Sequence, residues 1–337
     1  GLAPESTYGT PEDLKDLINT AHEYDIAVLL DVVYNHLWGS SPLFQLYHPV
    51  DNYEWDEHDF DTCPYFGNAV SQWGYKLEHW HDLDGRQYRG WEYVTDSMEH
   101  WVTEYHVDGF RFDYVEGIGW DGDFNGASFY ADFLDDIDPS LILIAETDNP
   151  TQINTTDFDA GWDYSYHHNL FDNILDIYLD VNDVTNHISA YDQGYGFVTG
   201  PINYIESHDE TRLVYQSTEF QGHSNEEAYQ RSMLGATILF TSHGVPMIYS
   251  GQEFAQNAPT RDSGGFPIPQ PLQWSNLDDE LVQDLVDDNY GDFDRYTTEL
   301  DNCLGTPFII LIEESDLYEK SFQSNREYFK PLKDVLN

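Results

Sequence analysis

Repeatedly along this chain an apolar run ends in a cluster of polar, chemistry-bearing residues. The first run, Ile26-Ala27-Val28-Leu29-Leu30, passes directly into Asp31-Val32-Val33-Tyr34-Asn35-His36. A run without alternation suits a strand buried on both faces, which is the condition of a parallel sheet covered by helices. The pattern returns at Val107–Phe112 before Asp113, at Leu141–Ala145 before Glu146, at Pro201–Ile205 before Glu206-Ser207-His208-Asp209-Glu210, and at Val245–Tyr249 before Ser250-Gly251-Gln252-Glu253. A short strand is also expected at Phe158–Trp162. Helical spacing separates these runs. Thr10-Pro11-Glu12-Asp13 is a helix start with an N-cap, a proline at the first position and acids in the first turn, and Leu14, Leu17, Ile18 and Ala21 follow on one face. Further helices are expected over Tyr93–Tyr105, Ala127–Ile137, Leu170–Leu179 and Ala228–Thr241. Strands alternating with helices imply a parallel α/β sheet. Reactive side chains placed just past apolar strands are the mark of a barrel that works from its C-terminal face. A doubly wound open sheet is the alternative, although no glycine-rich phosphate loop supports a nucleotide site in it.

Composition narrows the partners. Among 337 residues there are 63 acids against 13 lysines and arginines, a formal net charge of -50, which excludes a nucleic-acid partner. The 16% of aromatic residues and the regular apolar spacing argue against disorder as the source of that charge. Such a surface repels itself at low ionic strength, because the Debye length is about 10 Å near 0.1 M and about 3 Å at 1 M. A protein that works in concentrated salt is therefore expected. No apolar run approaches the roughly 20 residues that a membrane helix needs. Cys63 and Cys303 are too few for a disulfide framework, and Gly1-Leu2-Ala3-Pro4 shows neither a basic nor an apolar leader region. Localisation stays open between secretion, which is favoured, and a salt-rich cytoplasm.

From Leu37 to Val94 the periodicity fails and aromatics, Asp and Gly crowd together. A loop this long inside a compact fold is either functional or a small subdomain. Residues 1–300 are thus read as a catalytic α/β barrel, 37–94 as an insertion within it, and 301–337 as a C-terminal segment.

The polar strand ends carry the chemistry. In Gly109-Phe110-Arg111-Phe112-Asp113 alternate positions share a face, so Arg111 and Asp113 point the same way while the two phenylalanines pack. A permanent cation beside a carboxylate favours its ionised form, as a nucleophile requires. A structural Arg/Asp pair is the plainer reading. Two carboxylates about 5–5.5 Å apart suit a retaining glycosidase, in which one attacks the sugar and the other protonates the leaving oxygen.

Asp31–His36, Gly109–Asp113, Ala145–Glu146 and His208–Asp209 resemble, in order and spacing, the four motifs of the α-amylase family, glycoside hydrolase family 13. The resemblance covers roughly Ala3 to Trp274 and is most like bacterial amylases. It implies a TIM-type (β/α)8 barrel, with residues 37–94 in the place of the family's domain B after the third strand. It also implies an α-1,4-glucan or maltooligosaccharide substrate, no organic cofactor, a monomer, and roles for individual residues. Asp113 would be the nucleophile, Glu146 the general acid and then base, and Asp209 the stabiliser of the oxocarbenium-like transition state. Arg111 would orient Asp113, His36 and His208 would contact the sugar, and Asp31 would support Arg111. Calcium is allowed, with Asn35 at a position resembling the family's ligand and Asp56, Asp59 and Asp61 as spare acids, although a solvated surface is the plainer reading of those acids. Trp55, Trp73, Trp80, Tyr114 and Trp120 could stack on sugars, although more of them are expected in the core of the insertion.

Two departures from the family stand out. Glu116-Gly117 replaces the Lys-His of many α-amylases, so the leaving-group side of the cleft must be built differently. The chain also begins at the family's second helix and lacks the first two strands. The expectation is a sequence truncated upstream, with Phe308–Ile312 as a replacement strand or the start of a C-terminal β domain. An α-glucan branching enzyme and a non-catalytic sugar-binding homologue are the alternative functions. Retention of all three acids disfavours the latter.

Overall fold

The computed structural model describes residues 2–4, 6–39, 41–47, 64–71, 74–80, 82–83, 86–120, 126–175, 180–261, 268, 271–274, 276 and 308–313. Parallel strands among them are numbered along the chain: β1 (Ile26–Val32), β2 (Gly109–Phe112), β3 (Ile142–Ala145), β4 (Ala160–Trp162), β5 (Pro201–Tyr204), β6 (Val245–Met247) and β7 (Phe308–Glu313). The chain divides into two compact units: Gly1–Thr147 with Thr155–Asp159 and Pro307–Asn337, and Asp148–Asn154 with Ala160–Thr306.

In the first unit β1 lies between β2 and β7, and β3 borders the far side of β2, all parallel. Every residue of β2 is buried, as a strand covered on both faces demands. The register sets Asp31 opposite Arg111 and Phe112 opposite Ala145. Past the strand ends the ladder continues, with Asp113 N–H donating to the Val32 carbonyl (3.0 Å) and Glu146 N–H to the Phe112 carbonyl (2.9 Å). Asp113 and Glu146 therefore arrive on neighbouring strands at one level, with Asp31 two residues earlier, opposite Arg111. The close approach of β2 to β3 requires a glycine at 109, since a Cβ there would stand 1.9 Å from the Ile142 carbonyl oxygen.

The first helix, Pro11–Glu23, begins with a reciprocal capping box between Thr10 and Asp13. Asp108 ties this layer to the sheet: its Oδ2 accepts from the Val28 N–H (2.6 Å) and lies 2.8 Å from His22 Nε2. The helix expected at Tyr93–Tyr105 begins earlier, at Gly90, and runs to His100 before widening into a π turn, Trp101–Tyr105, that ends at left-handed His106. Val94 is thus a buried helix residue rather than the end of the irregular stretch. Within that stretch lie a helix, Pro42–Tyr47, an antiparallel sheet of His36–Leu37, Gly74–Leu77 and Phe66–Ser71, and a hairpin of Asp82–Leu83 with Arg86–Gln87. Phe44 stacks on Tyr75 with ring centroids 3.9 Å apart. The acids Asp56, Asp59 and Asp61, together with Trp55, Trp73, Cys63 and Cys303, lie outside the described residues.

In the second unit β5 pairs in parallel with β4 on one side and β6 on the other. The helix expected at Leu170–Leu179 begins instead at Tyr164 and is described to Leu175. Its start is fixed by Asp163, whose Oδ1 accepts from the Tyr166 N–H (2.9 Å). Tyr166, Leu170, Phe171, Ile174 and Leu175 of this helix pack with Ile205, Leu213 and Leu239 into one apolar cluster. Leu239 belongs to the helix Asn225–Thr241, which opens on a second capping box, Ser224 with Glu227.

Candidate active site

In the first unit the site is built around one buried guanidinium. Arg111 is 1% exposed. Its Nη1 donates to Asp31 Oδ1 (2.7 Å) and to Asp113 Oδ1 (3.2 Å), and its Nη2 pairs with Glu146 Oε1 at 3.1 Å. Burial opposes the arginine's charge, but the carboxylates of Asp31, Glu146 and Asp113 outweigh it and raise the arginine above its ordinary value. Asp31 is as buried as the arginine, whereas Asp113 and Glu146 keep part of their surface open to solvent. One cation thus carries a wholly internal acid and two acids that a ligand can reach.

The backbone contributes as well. Tyr114, directly after Asp113, is left-handed (φ 44°, ψ 59°), a conformation costly for a bulky residue. It turns its N–H onto Glu146 Oε2 at 2.5 Å. Glu146 is therefore gripped by a guanidinium at one oxygen and a main-chain donor at the other. Nearby, Thr147 Oγ1 donates to Glu116 Oε1 (2.6 Å). At Gly117 a Cβ would stand 2.2 Å from Asn35 Oδ1 and 2.6 Å from the Tyr114 ring, so a side chain there would collide with this wall as it stands.

His36 is half-buried, and burial lowers its pKa, which keeps the ring neutral. Its Nδ1 lies 3.1 Å from the Asn35 amide nitrogen, a donor, so Nδ1 accepts and Nε2 carries the proton. A neutral imidazole presenting an N–H suits a sugar hydroxyl. Calcium demands about six to eight oxygen ligands. Among the described residues, no group of three His, Cys, Asp or Glu side chains placed to hold an ion lies in the first unit with Asn35.

In the second unit His208 and Asp209 stand together, with His208 Nε2 2.9 Å from Asp209 Oδ2. Arg261 grips the same acid twice, Nη2 to Asp209 Oδ1 at 2.5 Å and Nε donating to the Asp209 carbonyl at 3.1 Å. The edge of Trp162 meets the His208 ring at 6.3 Å. Beneath them Glu206 is buried; burial raises its pKa, while Arg212 Nη1 (3.2 Å) and the Leu213 N–H (2.9 Å) hold it against that shift.

Sequence reasoning missed Arg261, which lies outside every motif, and the Tyr114 main chain, since no residue preference announces a left-handed tyrosine. It also missed Trp38, 60% exposed two residues past His36, a face of the kind that stacks on sugars. Its nearness to the first motif was the available signal. Of the expected platforms, Trp80 and Tyr114 are both exposed, whereas Trp120 packs edge-on against Phe158 at 5.7 Å.

Comparison with known proteins gives this arrangement a family. The model of the α-amylase catalytic domain matches residues 4–302. A malto-oligosyltrehalose trehalohydrolase of Saccharolobus solfataricus is 25% identical over 80% of this chain and 50% of its own length. A 1,4-alpha-glucan branching enzyme of Picrophilus torridus is 24% identical over 88% of this chain and 43% of its own. This chain spans half or less of the length of those relatives. The crystal structure of the α-amylase from Geobacillus thermoleovorans, complexed with acarbose, shares the fold with a TM-score of 0.60 at 21% identity, over 82% of this chain and 62% of that one. With the family model covering most of its length, the chain belongs to the α-amylase family of glycoside-processing enzymes, as a catalytic domain of the partial TIM-barrel kind.

Proposed function

We propose that this chain is the catalytic domain of a retaining glycoside hydrolase that cleaves α-1,4-glucosidic bonds in starch- or glycogen-type glucans by double displacement. The observation that carries the reading is the pairing of Asp113 and Glu146, both reachable by solvent, with neighbouring nitrogens of the same buried guanidinium. In the first step the Asp113 carboxylate attacks the anomeric carbon, the glycosidic C–O bond breaks, and Glu146 gives its proton to the departing oxygen. In the second, Glu146 takes a proton from water, the water oxygen bonds to the anomeric carbon, and Asp113 leaves. Asp209 stabilises the positive charge that develops on the ring, and His36 and His208 hold sugar hydroxyls. Residues 37–94 take the role of the family's domain B. The protein acts as a monomer in a salt-rich setting, outside the cell or in a salt-rich cytoplasm.

A branching enzyme would use the same nucleophile and acid but resolve the intermediate with a sugar hydroxyl, and the Picrophilus torridus relative favours that second reading. Incubation with amylose separates the two. New reducing ends are expected from hydrolysis; new branch points without reducing ends would replace the hydrolase with a transferase. Asp113→Asn is expected to abolish turnover; unchanged turnover would remove Asp113 from the role of nucleophile, and binding of maltooligosaccharide without any turnover by the parent chain would make it a non-catalytic sugar binder.

A further inference from the structure

The second unit holds a group of side chains that takes no part in the glycosidase chemistry. His167 and His168, consecutive on the helix Tyr164–Leu175, meet Glu210, the residue after Asp209, and one ligand atom from each lies within 4.8 Å of the others. His167 is fixed in the way metal-binding histidines are fixed. Its Nδ1 faces the Ile205 carbonyl at 2.8 Å, which can only accept, so Nδ1 carries the proton. The ring is clamped by stacking on Tyr204 (centroids 5.3 Å apart, planes 12° apart) and by Phe171 at 4.9 Å. Nε2 faces Glu210 Oε2 across 3.4 Å, a contact that a protonated ring closes as an ion pair and that a metal ion closes by binding both atoms. The separation is long for a hydrogen bond, yet it matches the roughly 3.3–3.4 Å edge of a tetrahedron with metal–ligand bonds of about 2.0–2.1 Å. On the other side, Thr260 Oγ1 donates to the Glu210 carbonyl (2.9 Å) and steadies that residue.

We propose that His167, His168 and Glu210 form a binding site for a divalent ion of the zinc class, with two imidazoles and one carboxylate as ligands and the fourth position open to water. Paired imidazoles select such an ion over magnesium or calcium, which prefer all-oxygen sites. The ion joins the helix Tyr164–Leu175 to the segment that carries His208 and Asp209, so its effect is to stiffen that segment. The assignment rests on these three residues and not on the sugar chemistry.

The test is a calorimetric titration of the full chain, stripped of metal, with Zn2+ alone in molar KCl and millimolar Mg2+, which saturate the acidic surface. One equivalent of Zn2+ is expected to bind, with a rise in the unfolding temperature. Affinity is expected to fall by about tenfold or more in both His168→Asn and Glu210→Gln, since loss of even a partner of a ligand costs about 10–100-fold. His168 is exposed, so its variant is expected to fold, which circular dichroism verifies. Co2+ should give an intense visible band of low coordination that both variants weaken. Absence of saturable binding of one equivalent, or a change well below about tenfold in either variant, would overturn the site.

Discussion

Arg111 shows how much one side chain can be asked to do. It is buried with Asp31 and reaches two further carboxylates, so its substitution removes the shared centre of all three. Arg111→Met is predicted to lower the unfolding free energy by about 3–5 kcal/mol, because Asp31 would keep its burial and lose the cation that compensates it. Arg111→Lys should recover part of that stability but little activity, since a point charge on a flexible stem cannot reproduce a two-nitrogen fork. Denaturant unfolding and steady-state kinetics on the two variants measure the two effects; stability within about 1 kcal/mol of the parent for Arg111→Met would contradict the account. The pairing of Arg111 with Asp113 was legible in advance because alternate residues of a strand share a face. The grip on Asp209 was not, because Arg261 reaches it from 52 positions further along the chain and a single arginine in an irregular stretch carries no signal of its own.

At the scale of elements, what aligns the acids is the register of β1, β2 and β3, and that register depends on how closely the strands approach at Gly109. Gly109→Ala would drive a methyl group into the Ile142 carbonyl, and only a shift of β2 relative to β3 could relieve the contact. The prediction is a loss of stability of about 2 kcal/mol or more and a larger loss of turnover, since a displacement of about 1 Å at a reacting group can cost a hundredfold. Thermal unfolding with activity assays would check it, and an alanine variant with parental activity would show that register has slack. The strands themselves were readable from their apolar runs, and the cap at Thr10 marks a helix start by its chemistry, whereas the helix capped by Ser224 starts at Asn225 rather than at the expected Ala228. Element ends were less legible. The start of the Tyr164–Leu175 helix depended on a cap from Asp163 in a stretch rich in aromatic and polar residues, and the π turn at Trp101–Tyr105 follows from packing rather than from spacing.

For the whole molecule the dominating quantity is charge, a net of -50. Asp132 shows its effect locally: partial burial, then the hydrogen bond and the charge of Asp157, push its pKa up to about 6. An acid raised in the folded state holds a proton that the unfolded chain releases, so its contribution is complete below about pH 4 and is lost as pH rises through about 6. Asp132→Asn should flatten the stability profile across that window by a few tenths of a kcal/mol, a small figure because the side chain is exposed and screened. The global counterpart is salt. Repulsion among exposed acids acts over about 10 Å at 0.1 M and about 3 Å at 1 M, whereas the buried Arg111 cluster is shielded from ions by its burial. Added KCl should therefore relieve the surface and leave the cluster intact, raising the unfolding temperature by several degrees between 0.1 and 2 M, on the scale of about 2–4 °C per kcal/mol for a chain of this order of size. Screening saturates once the Debye length falls below the spacing of the charges, so the rise should level off at high salt, whereas strengthening of apolar burial by an excluded solute such as sucrose should not. A melting temperature that is flat or falls across the KCl series would mean that the acids are spaced too widely to repel, and the expectation of a salt-requiring protein would fall with it.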